Sequence, residues 1–307
     1  MRTGKVRRVA AVVFGLLIVA VVLFYLLDPD ARLAGALRGD PWYRGRPATA
    51  WRNDLTSRDD NTRALAAEQL KDEAAVPVLE ALLKSGGPPE PRWVAADVLG
   101  KIGPPARSAG PALLAALNDP DPQVRTVAVQ AIGKLAPDVP GAVPKLIELF
   151  PDVEAIRAAA QFKGAAAEAV PKLTELLTHQ DAGVRWNASR ALGKIGEPAK
   201  SAIPGIVGQL KDEDRLVREH AAEALGDIGP AAAAAVPDLV KALSDSEWKV
   251  RRDALGALGN MGPAAKAALP QVQALKKDPE AEVRAAAERA EQRITRQGNP
   301  GREPERD

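Results

Sequence analysis

The stretch AIPGIVGQLKDEDRLVREHAAEALGDIGPAAAA, residues 202–234, contains the signals of a paired-helix repeat. Pro204 suits the first turn of a helix, where its missing N–H has no consequence, and apolar residues follow at helical spacing as far as Leu210. Asp214 can cap a second helix by accepting its orphan N–H groups. Gly229 allows a left-handed helix cap, and the proline after it forbids continuation. The stretch therefore predicts a helix, a short turn, a second helix and a loop.

This pattern recurs along most of the chain. The helix-opening prolines are 33 or 34 residues apart, except for 27 residues between the third and the fourth: Pro77, Pro111, Pro144, Pro171, Pro204, Pro237 and Pro270. Arginines recur in step with them, at Arg63, Arg92, Arg125, Arg157, Arg185, Arg218, Arg251 and Arg284. Neither helix of a repeat can bury its apolar face alone, so about eight repeats must stack on one another.

Two columns of small residues explain how the repeats stack. One column in the second helix is alanine throughout, at Ala95, Ala128, Ala160, Ala188, Ala221, Ala254 and Ala287. A later column is mostly glycine, at Gly100, Gly133, Gly193, Gly226 and Gly259. Glycine inside a helix is unfavourable by about 1 kcal/mol, so its recurrence predicts that neighbouring second helices approach closely there.

The element D-x-x-V-R, the ending A-L-G-x-I-G and the helix-opening proline together resemble HEAT repeats. The similarity is greatest to the bacterial HEAT-like repeats of phycobilisome lyases and covers about residues 47–297. The resemblance implies an all-α fold, a right-handed α-α superhelix, in which the Asp and Arg columns form a ladder of hydrogen bonds between repeats. The residues expected in this ladder are Asp121, Arg125, Asp181, Arg185, Asp214, Arg218, Arg251 and Arg284.

One repeat departs from the pattern. The repeat around residues 144–169 is about six residues short, and its Gly164 lies one residue out of register. We expect this repeat to lack its loop. The first and last repeats are expected to act as caps, and residues 298–307 form a disordered tail rich in Pro, Gly and charge.

The N-terminus predicts a membrane anchor. Residues 9–27 contain no charged side chain and, as a helix, would be about 28 Å long, close to the hydrocarbon core of a bilayer. Basic residues precede the segment, which predicts a cytoplasmic N-terminus (1–8), a single-pass helix in the inner membrane, a linker (28–46) and an extracytoplasmic solenoid. The lead-in Tyr43–Pro47 also resembles the segment that opens membrane-anchored bacterial HEAT proteins. The alternative is a cleaved signal peptide, with Ala34-Gly35-Ala36 as the cleavage site.

The composition leaves little room for catalysis. The chain has no cysteine and two histidines, and it carries no nucleotide-binding, zinc-protease or serine-hydrolase motif. A formal charge of +2 argues against a nucleic-acid partner. We therefore predict no catalytic, cofactor or metal site, and His220 is interpreted as a plain surface histidine, because one imidazole cannot hold a multi-ligand metal site.

The remaining signal lies in two variable columns of the second helices, which in solenoids of this kind line the concave side. Tryptophan and arginine are frequent among binding hot spots; the first column contains both, and the second contains arginine. The residues predicted to contact a protein partner are Trp93, Asp97, Trp186, Arg190, Glu219, Glu223 and Arg252. The alternative for each tryptophan is packing over a neighbouring alanine-rich repeat.

These observations predict a membrane-anchored, non-catalytic HEAT-repeat scaffold that binds a protein through its concave face. An accessory or lyase-like HEAT-repeat enzyme is one alternative, and it would require convergent polar groups in a pocket. A structural spacer without a dedicated ligand is the other, and it would have small, polar residues throughout the variable columns.

Overall fold

The computed structural model describes residues 32–296, which form two compact units, one ending at Leu135 and one beginning at Ala136. We call them the N-terminal and the C-terminal unit. The predicted cytoplasmic N-terminus, the predicted transmembrane helix, the start of the predicted linker and the predicted tail lie outside the described residues. Between residues 32 and 296, no helix combines the length and the apolar character needed to cross a membrane.

The N-terminal unit contains three helix pairs, α2 with α3, α4 with α5 and α6 with α7, preceded by a short helix and a hairpin. The elements are α1 (Arg32–Arg38), β1 (Trp42–Tyr43), β2 (Arg46–Pro47), α2 (Ala48–Leu55), α3 (Asp60–Gln69), α4 (Val76–Leu83), α5 (Glu90–Ile102), α6 (Gly110–Ala116) and α7 (Pro122–Leu135). The two-residue strands pair antiparallel, an addition to the predicted all-α fold.

The residues from Arg32 to Pro47, which precede the helix pair α2–α3, form a helix and a hairpin. Most of them belong to the segment that was predicted to be a linker. Arg44 and Gly45 both have positive φ, as in the two-residue turns that close tight hairpins. Tyr43 is buried, and its carbonyl accepts a hydrogen bond of 3.3 Å from the indole Nε1 of the fully buried Trp51. The hairpin therefore covers the apolar end of the first helix pair.

The C-terminal unit contains five helix pairs. Their helices are α8 (Ala142–Glu148), α9 (Val153–Gln161), α10 (Val170–Leu176), α11 (Ala182–Ile195), α12 (Ile203–Gln209), α13 (Arg215–Ile228), α14 (Val236–Ala242), α15 (Trp248–Met261), α16 (Leu269–Ala274) and α17 (Ala281–Thr295). Turns of 3-10 helix precede the first helices α10, α12, α14 and α16, at Lys163–Ala169, Glu197–Ala202, Gly229–Ala235 and Gly262–Ala268.

The construction predicted for residues 202–234 is confirmed with one change. Pro204 lies in the first turn of α12, and the carboxylate of Asp214 accepts the N–H groups of Leu216 and Val217 at the start of α13. Gly229 ends α13 with φ +73° and ψ −141°. This is the mirror image of an extended conformation rather than the left-handed helical one, and glycine reaches it most easily.

The short repeat loses helix rather than loop. Counted from the column arginines, α9 ends four residues after Arg157, whereas α11 ends ten residues after Arg185. The 3-10 turn at Lys163–Ala169 is present, which contradicts the predicted loss of the loop. Lys163, and not Gly164, takes the positive φ, at 50°.

Close packing of the second helices shapes the C-terminal unit. A methyl group on Gly193 would lie 2.8 Å from Cα of Ala224, and one on Gly226 would lie 3.0 Å from Cα of Ala257, as the glycine column predicts. The first helices instead reach the next repeat through the 3-10 turns. Successive second helices of the unit therefore pack directly on one another. We call the outer sides of α9, α11, α13, α15 and α17 the second-helix face.

Candidate protein-binding surface

A ladder of ion pairs holds the turns of successive repeats in register. In each rung, Nε and Nη2 of an arginine donate to the two carboxylate oxygens of an aspartate 27 residues later, at 2.7–3.1 Å. The pairs are Arg92–Asp119, Arg185–Asp212, Arg218–Asp245 and Arg251–Asp278. Bidentate pairing of this kind is the strongest form of the arginine–carboxylate contact.

The electrostatic effect on the aspartates is uniform. The hydrogen bond from Arg92 is the main cause that lowers the pKa of Asp119 below its usual value. At Asp245, burial alone would raise the pKa, but the hydrogen bonds from Arg218 and from the backbone N–H of Glu247 outweigh it and lower the pKa. All four ladder aspartates are therefore held in the charged form.

The ladder acceptors differ from the predicted ones. Asp121, Asp181 and Asp214 each cap the second helix that follows them, and none accepts a hydrogen bond from an arginine in the described chain. The true acceptors lie two residues earlier, because only that position faces the arginine of the preceding repeat. The D-x-[DE] spacing that recurs before α7, α13, α15 and α17 is the signal that could have identified them.

Two arginines of the predicted ladder, Arg125 and Arg284, donate hydrogen bonds to the turn that precedes their own helix. Nη1 of Arg125 donates to the carbonyls of Asp119 and Pro120, at 2.7 and 3.0 Å. Nη1 of Arg284 donates in the same way to Asp278 and Pro279, at 2.7 and 2.8 Å. Arg125 and Arg284 therefore brace the turn rather than form a rung within their unit.

One rung of the C-terminal unit has no carboxylate. The acceptor is always the sixth residue before a column arginine, and before Arg185 that residue is His179. Nδ1 of His179 accepts the backbone N–H of Asp181 at 3.1 Å, as Asp212 accepts that of Asp214 at 2.9 Å. His179 thus preserves the turn but provides no negative charge for the arginine of the preceding repeat.

That arginine is Arg157, and it takes other partners. Its Nε donates to Oδ1 of Asn187 at 3.0 Å and its Nη1 to Glu154 at 2.9 Å. Its guanidinium carbon lies 5.6 Å from the ring centroid of Trp186, within cation–π range. Arg157 therefore belongs to the second-helix face rather than to the ladder.

Trp186 is the centre of a cluster on that face. Its ring stacks on the imidazole of His220, with centroids 4.8 Å apart and planes at 27°. Nδ1 of His220 lies 2.8 Å from Oε2 of Glu223. His220 is therefore a half-buried member of the cluster, which contradicts its interpretation as a plain surface histidine. Trp186 remains partly exposed between Arg157 and His220.

Charge alternates beside the cluster. The hydrogen bond with His220 is the main cause that lowers the pKa of Glu223, so this carboxylate stays charged. Glu219, one turn earlier on α13, lies 3.6 Å from Arg252 on α15. Arg252 also pairs with Asp253 through two hydrogen bonds, at 2.6 and 3.0 Å. Glu219 thus pairs with a basic group on the neighbouring helix α15, whereas Glu223 is bound to His220 on α13 itself.

The first of two basic cavities lies between α9 and α11. It measures about 160 Å³ and is lined by Arg157, Gln161, Asn187, Arg190 and Lys194 over a floor of two alanines. Lys194 pairs with Asp227 at 2.9 Å, whereas Arg190 is exposed. The cavity exists because α9 is short. It ends four residues after Arg157, whereas α11 continues past Arg190 as far as Ile195.

The second cavity lies between α15 and α17 and measures about 240 Å³. Arg252, Arg289 and Arg293 line it above a floor formed by Gly256 and other small residues. A methyl group added to Gly256 would meet no atom within 4 Å. The cavity therefore exists because this position, which carries a side chain in the other repeats, has none here.

Five of the seven predicted partner-binding residues lie on the second-helix face: Trp186, Arg190, Glu219, Glu223 and Arg252. Trp93 and Asp97 lie on α5 in the N-terminal unit, where Trp93 is half-buried and Asp97 pairs with Lys101. Arg157 and His220 were missed. Arg157 was noted only as a member of the recurring arginine column, and the contact of His220 depends on the register between α11 and α13.

The stacked helix pairs, the glycine and alanine columns and the ladder define an α-solenoid repeat protein. Residues 76–162, 152–204 and 203–290 match the family model of HEAT repeats. The matches span more than half of the 307 residues, and the chain belongs to the HEAT-repeat family. A comparison with curated proteins finds no match.

Solved structures with similarity to the chain include an engineered protein and two chains from natural complexes. An engineered protein is 25% identical, with a TM-score of 0.53, and the alignment covers 82% of this chain and 79% of that one. A chain from the structure of Kap95p with RanGDP is 16% identical, with a TM-score of 0.57 and coverage of 81% and 41%. A chain of the CpcE–CpcF complex of phycocyanin lyase from Nostoc sp. PCC7120 is 24% identical, with a TM-score of 0.42 and coverage of 48% and 97%. The first two similarities support the shared fold, and none of the three assigns a function to this chain.

Proposed function

We propose that this protein is a membrane-anchored, non-catalytic scaffold that binds a protein partner on the second-helix face of its C-terminal unit. The observation that carries the proposal is the fixed position of Trp186. Arg157 lies 5.6 Å from its ring and His220 stacks at 4.8 Å on it, so the indole is held in place while part of it stays exposed.

A held tryptophan is suited to binding. Tryptophan contributes a large apolar area to interfaces and is frequent among hot spots. A side chain that is already ordered loses little rotamer freedom when a partner covers it, and a mobile side chain would lose about 0.5–1.5 kcal/mol. The surrounding charged groups provide the polar rim that such hot spots have.

Similarity to known complexes is consistent with this proposal. One related solenoid is seen with RanGDP, and another is part of a complex between two lyase subunits. We carry over from them only that solenoids of this type have protein partners. The membrane anchor is supported by the uncharged residues 9–27, and the absence of thiols and the scarcity of imidazoles support a non-catalytic role.

The binding proposal is tested by crosslinking the full-length protein in its host membranes and purifying the complexes. We expect Trp186→Ala to lose the partner recovered with the wild-type protein. Trp42→Ala is the matched control, because Trp42 is an exposed tryptophan in the hairpin of the N-terminal unit and is not part of any second helix. An unchanged partner with a folded Trp186→Ala variant would refute the proposal.

The anchoring proposal has its own test. After alkaline carbonate extraction, the protein should remain in the membrane fraction with its N-terminus intact. Recovery of a soluble product that begins near residue 37 would show cleavage instead.

A further inference from the structure

The two basic cavities of the second-helix face occupy equivalent places in the repeat. Arg289 follows Arg190 by 99 residues, and Arg293 follows Lys194 by the same 99 residues, which is three repeats of 33. In both cavities the C-terminal wall is one second helix carrying two basic side chains one turn apart. The face thus presents the same basic feature twice, at a fixed separation.

The helices between the cavities have a different charge. On α13 the equivalent positions hold Glu223 and Asp227, with Glu219 one turn earlier. On α15 they hold Gly256 and Asn260, which carry no charge, and Arg252, one turn earlier, is paired with Asp253 on the same helix. Along the stack from α11 to α17, the face is therefore basic, acidic, neutral and basic.

Guanidinium groups remain available at both ends. Arg190 is exposed and has no salt bridge in the described chain, and the same holds for Arg289. Arg293 donates to the neutral Oδ1 of Asn260 at 2.6 Å. The second cavity is also lined by one carboxylate, that of Asp253, which is already paired with Arg252. Each cavity can thus accept one further carboxylate in the bidentate manner that arginine favours.

We propose that the second-helix face binds an extended segment of a partner protein that has acidic residues at both ends and a basic or neutral centre. The inference rests on the proposed function, and it specifies the partner. Acidic ends complement the cavities, and a basic centre complements α13. A uniformly acidic segment is disfavoured, because like charges would meet over Glu223 and Asp227.

The separation of the cavities sets the length of the segment. Helices packed through small residues are about 8–10 Å apart, so three steps from α11 to α17 correspond to roughly 24–30 Å. An extended chain advances about 3.3 Å per residue. The two acidic sites of the partner should therefore be about seven to nine residues apart.

The test uses fluorescence anisotropy of the full-length protein with two synthetic peptides of identical composition. One peptide has an Asp-Asp pair at each end of an eight-residue Gly/Ser segment with two central lysines. The other has all four aspartates adjacent. We expect the separated peptide to bind at least tenfold more tightly, because engaging one end raises the effective concentration of the other.

Charge-reversal variants assign the binding to the cavities. Arg190→Glu and Arg289→Glu should each weaken the separated peptide about tenfold, and the double variant should abolish binding. The matched control is Lys200→Glu with Lys266→Glu, which makes the same charge change on exposed 3-10 turns. Circular dichroism checks that all variants remain folded.

The proposal is overturned if neither peptide binds, if both bind equally, or if the control double variant loses as much affinity as the cavity variant. These outcomes are distinct from failure of the proposed function. If Trp186→Ala loses the native partner while the peptides do not discriminate, partner binding stands and the acidic-ended segment is wrong.

Discussion

The turn before α13 and the turn before α11 share one construction and differ at one residue. Asp212 precedes α13 and receives Arg185 from the repeat before it, whereas His179 precedes α11 and leaves Arg157 without that acceptor. Arg157 instead lies beside Trp186 on the second-helix face. A single departure from a structural column has thus supplied a side chain to the candidate binding surface.

Acid should produce the largest loss of stability, because it protonates the aspartates of all the ladder pairs together. The folded pKa of each ladder aspartate lies below its unfolded value of 3.8. The ladder therefore contributes its full stability above that value and loses it as the pH falls through the depressed pKa values. We expect the urea midpoint to fall steeply below about pH 4. A midpoint at about pH 3 equal to that at neutral pH would contradict the stabilising role of the ladder.

Removing single arginines should show that a ladder arginine contributes more to stability than Arg157, which has no ladder aspartate. Arg218→Ala leaves the Asp245 carboxylate, which is 11% exposed, without its guanidinium, so we expect a loss of about 3 kcal/mol. Arg157 is 45% exposed, and Arg157→Ala should destabilise by less than about 1 kcal/mol. Urea denaturation of both variants measures the difference. Equal losses would mean that Arg157 is as structural as the ladder arginines.

Two glycines allow a comparison between a closely packed position, Gly193, and an open position in the second cavity, Gly256. Gly193→Ala should destabilise by about 1–3 kcal/mol, because the new methyl group would lie 2.8 Å from Cα of Ala224. Gly256→Ala should stabilise by up to about 1 kcal/mol, because its methyl group has free space and alanine favours helix. Thermal unfolding compares the two variants, and a destabilised Gly256→Ala variant would contradict the open floor of the second cavity.

Restoring the missing carboxylate is the smallest and most specific change. His179→Asp should draw Arg157 into the ladder and stabilise the protein by about 1 kcal/mol. The same change should weaken partner binding, because Arg157 would leave Trp186. His179→Asn is the matched control, since an amide can retain the turn hydrogen bond without the charge. Increased stability with unchanged binding would show that Arg157 does not support the surface.

Much of the fold follows from sequence periodicity. The capping role of Asp214, the helix start at Pro204 and the helix end at Gly229 were predicted because each depends on contacts within one repeat. The ladder acceptors were misassigned, because Asp212 and Asp214 have the same chemistry and differ only in the direction they face. That direction depends on where the preceding repeat lies.

The candidate surface was only partly predictable for the same reason. The placement of Trp186 and Glu223 on a second helix follows from helical spacing within the repeat. The stacking of Trp186 on His220 spans 34 residues and depends on how α11 and α13 are rotated against each other. The folded segment at Tyr43 was equally hidden, because its burial depends on Trp51 in the next element.

The folded N-terminal segment has a consequence for the proposed anchor. Because α1 already includes Arg32, at most four residues separate the folded unit from the apolar stretch that ends at Leu27. Four extended residues span at most about 14 Å, whereas the nineteen residues from 28 to 46 would span about 65 Å. An anchored molecule would therefore hold α1 within about 14 Å of the lipid surface, and bulky proteins could not pass between α1 and the bilayer.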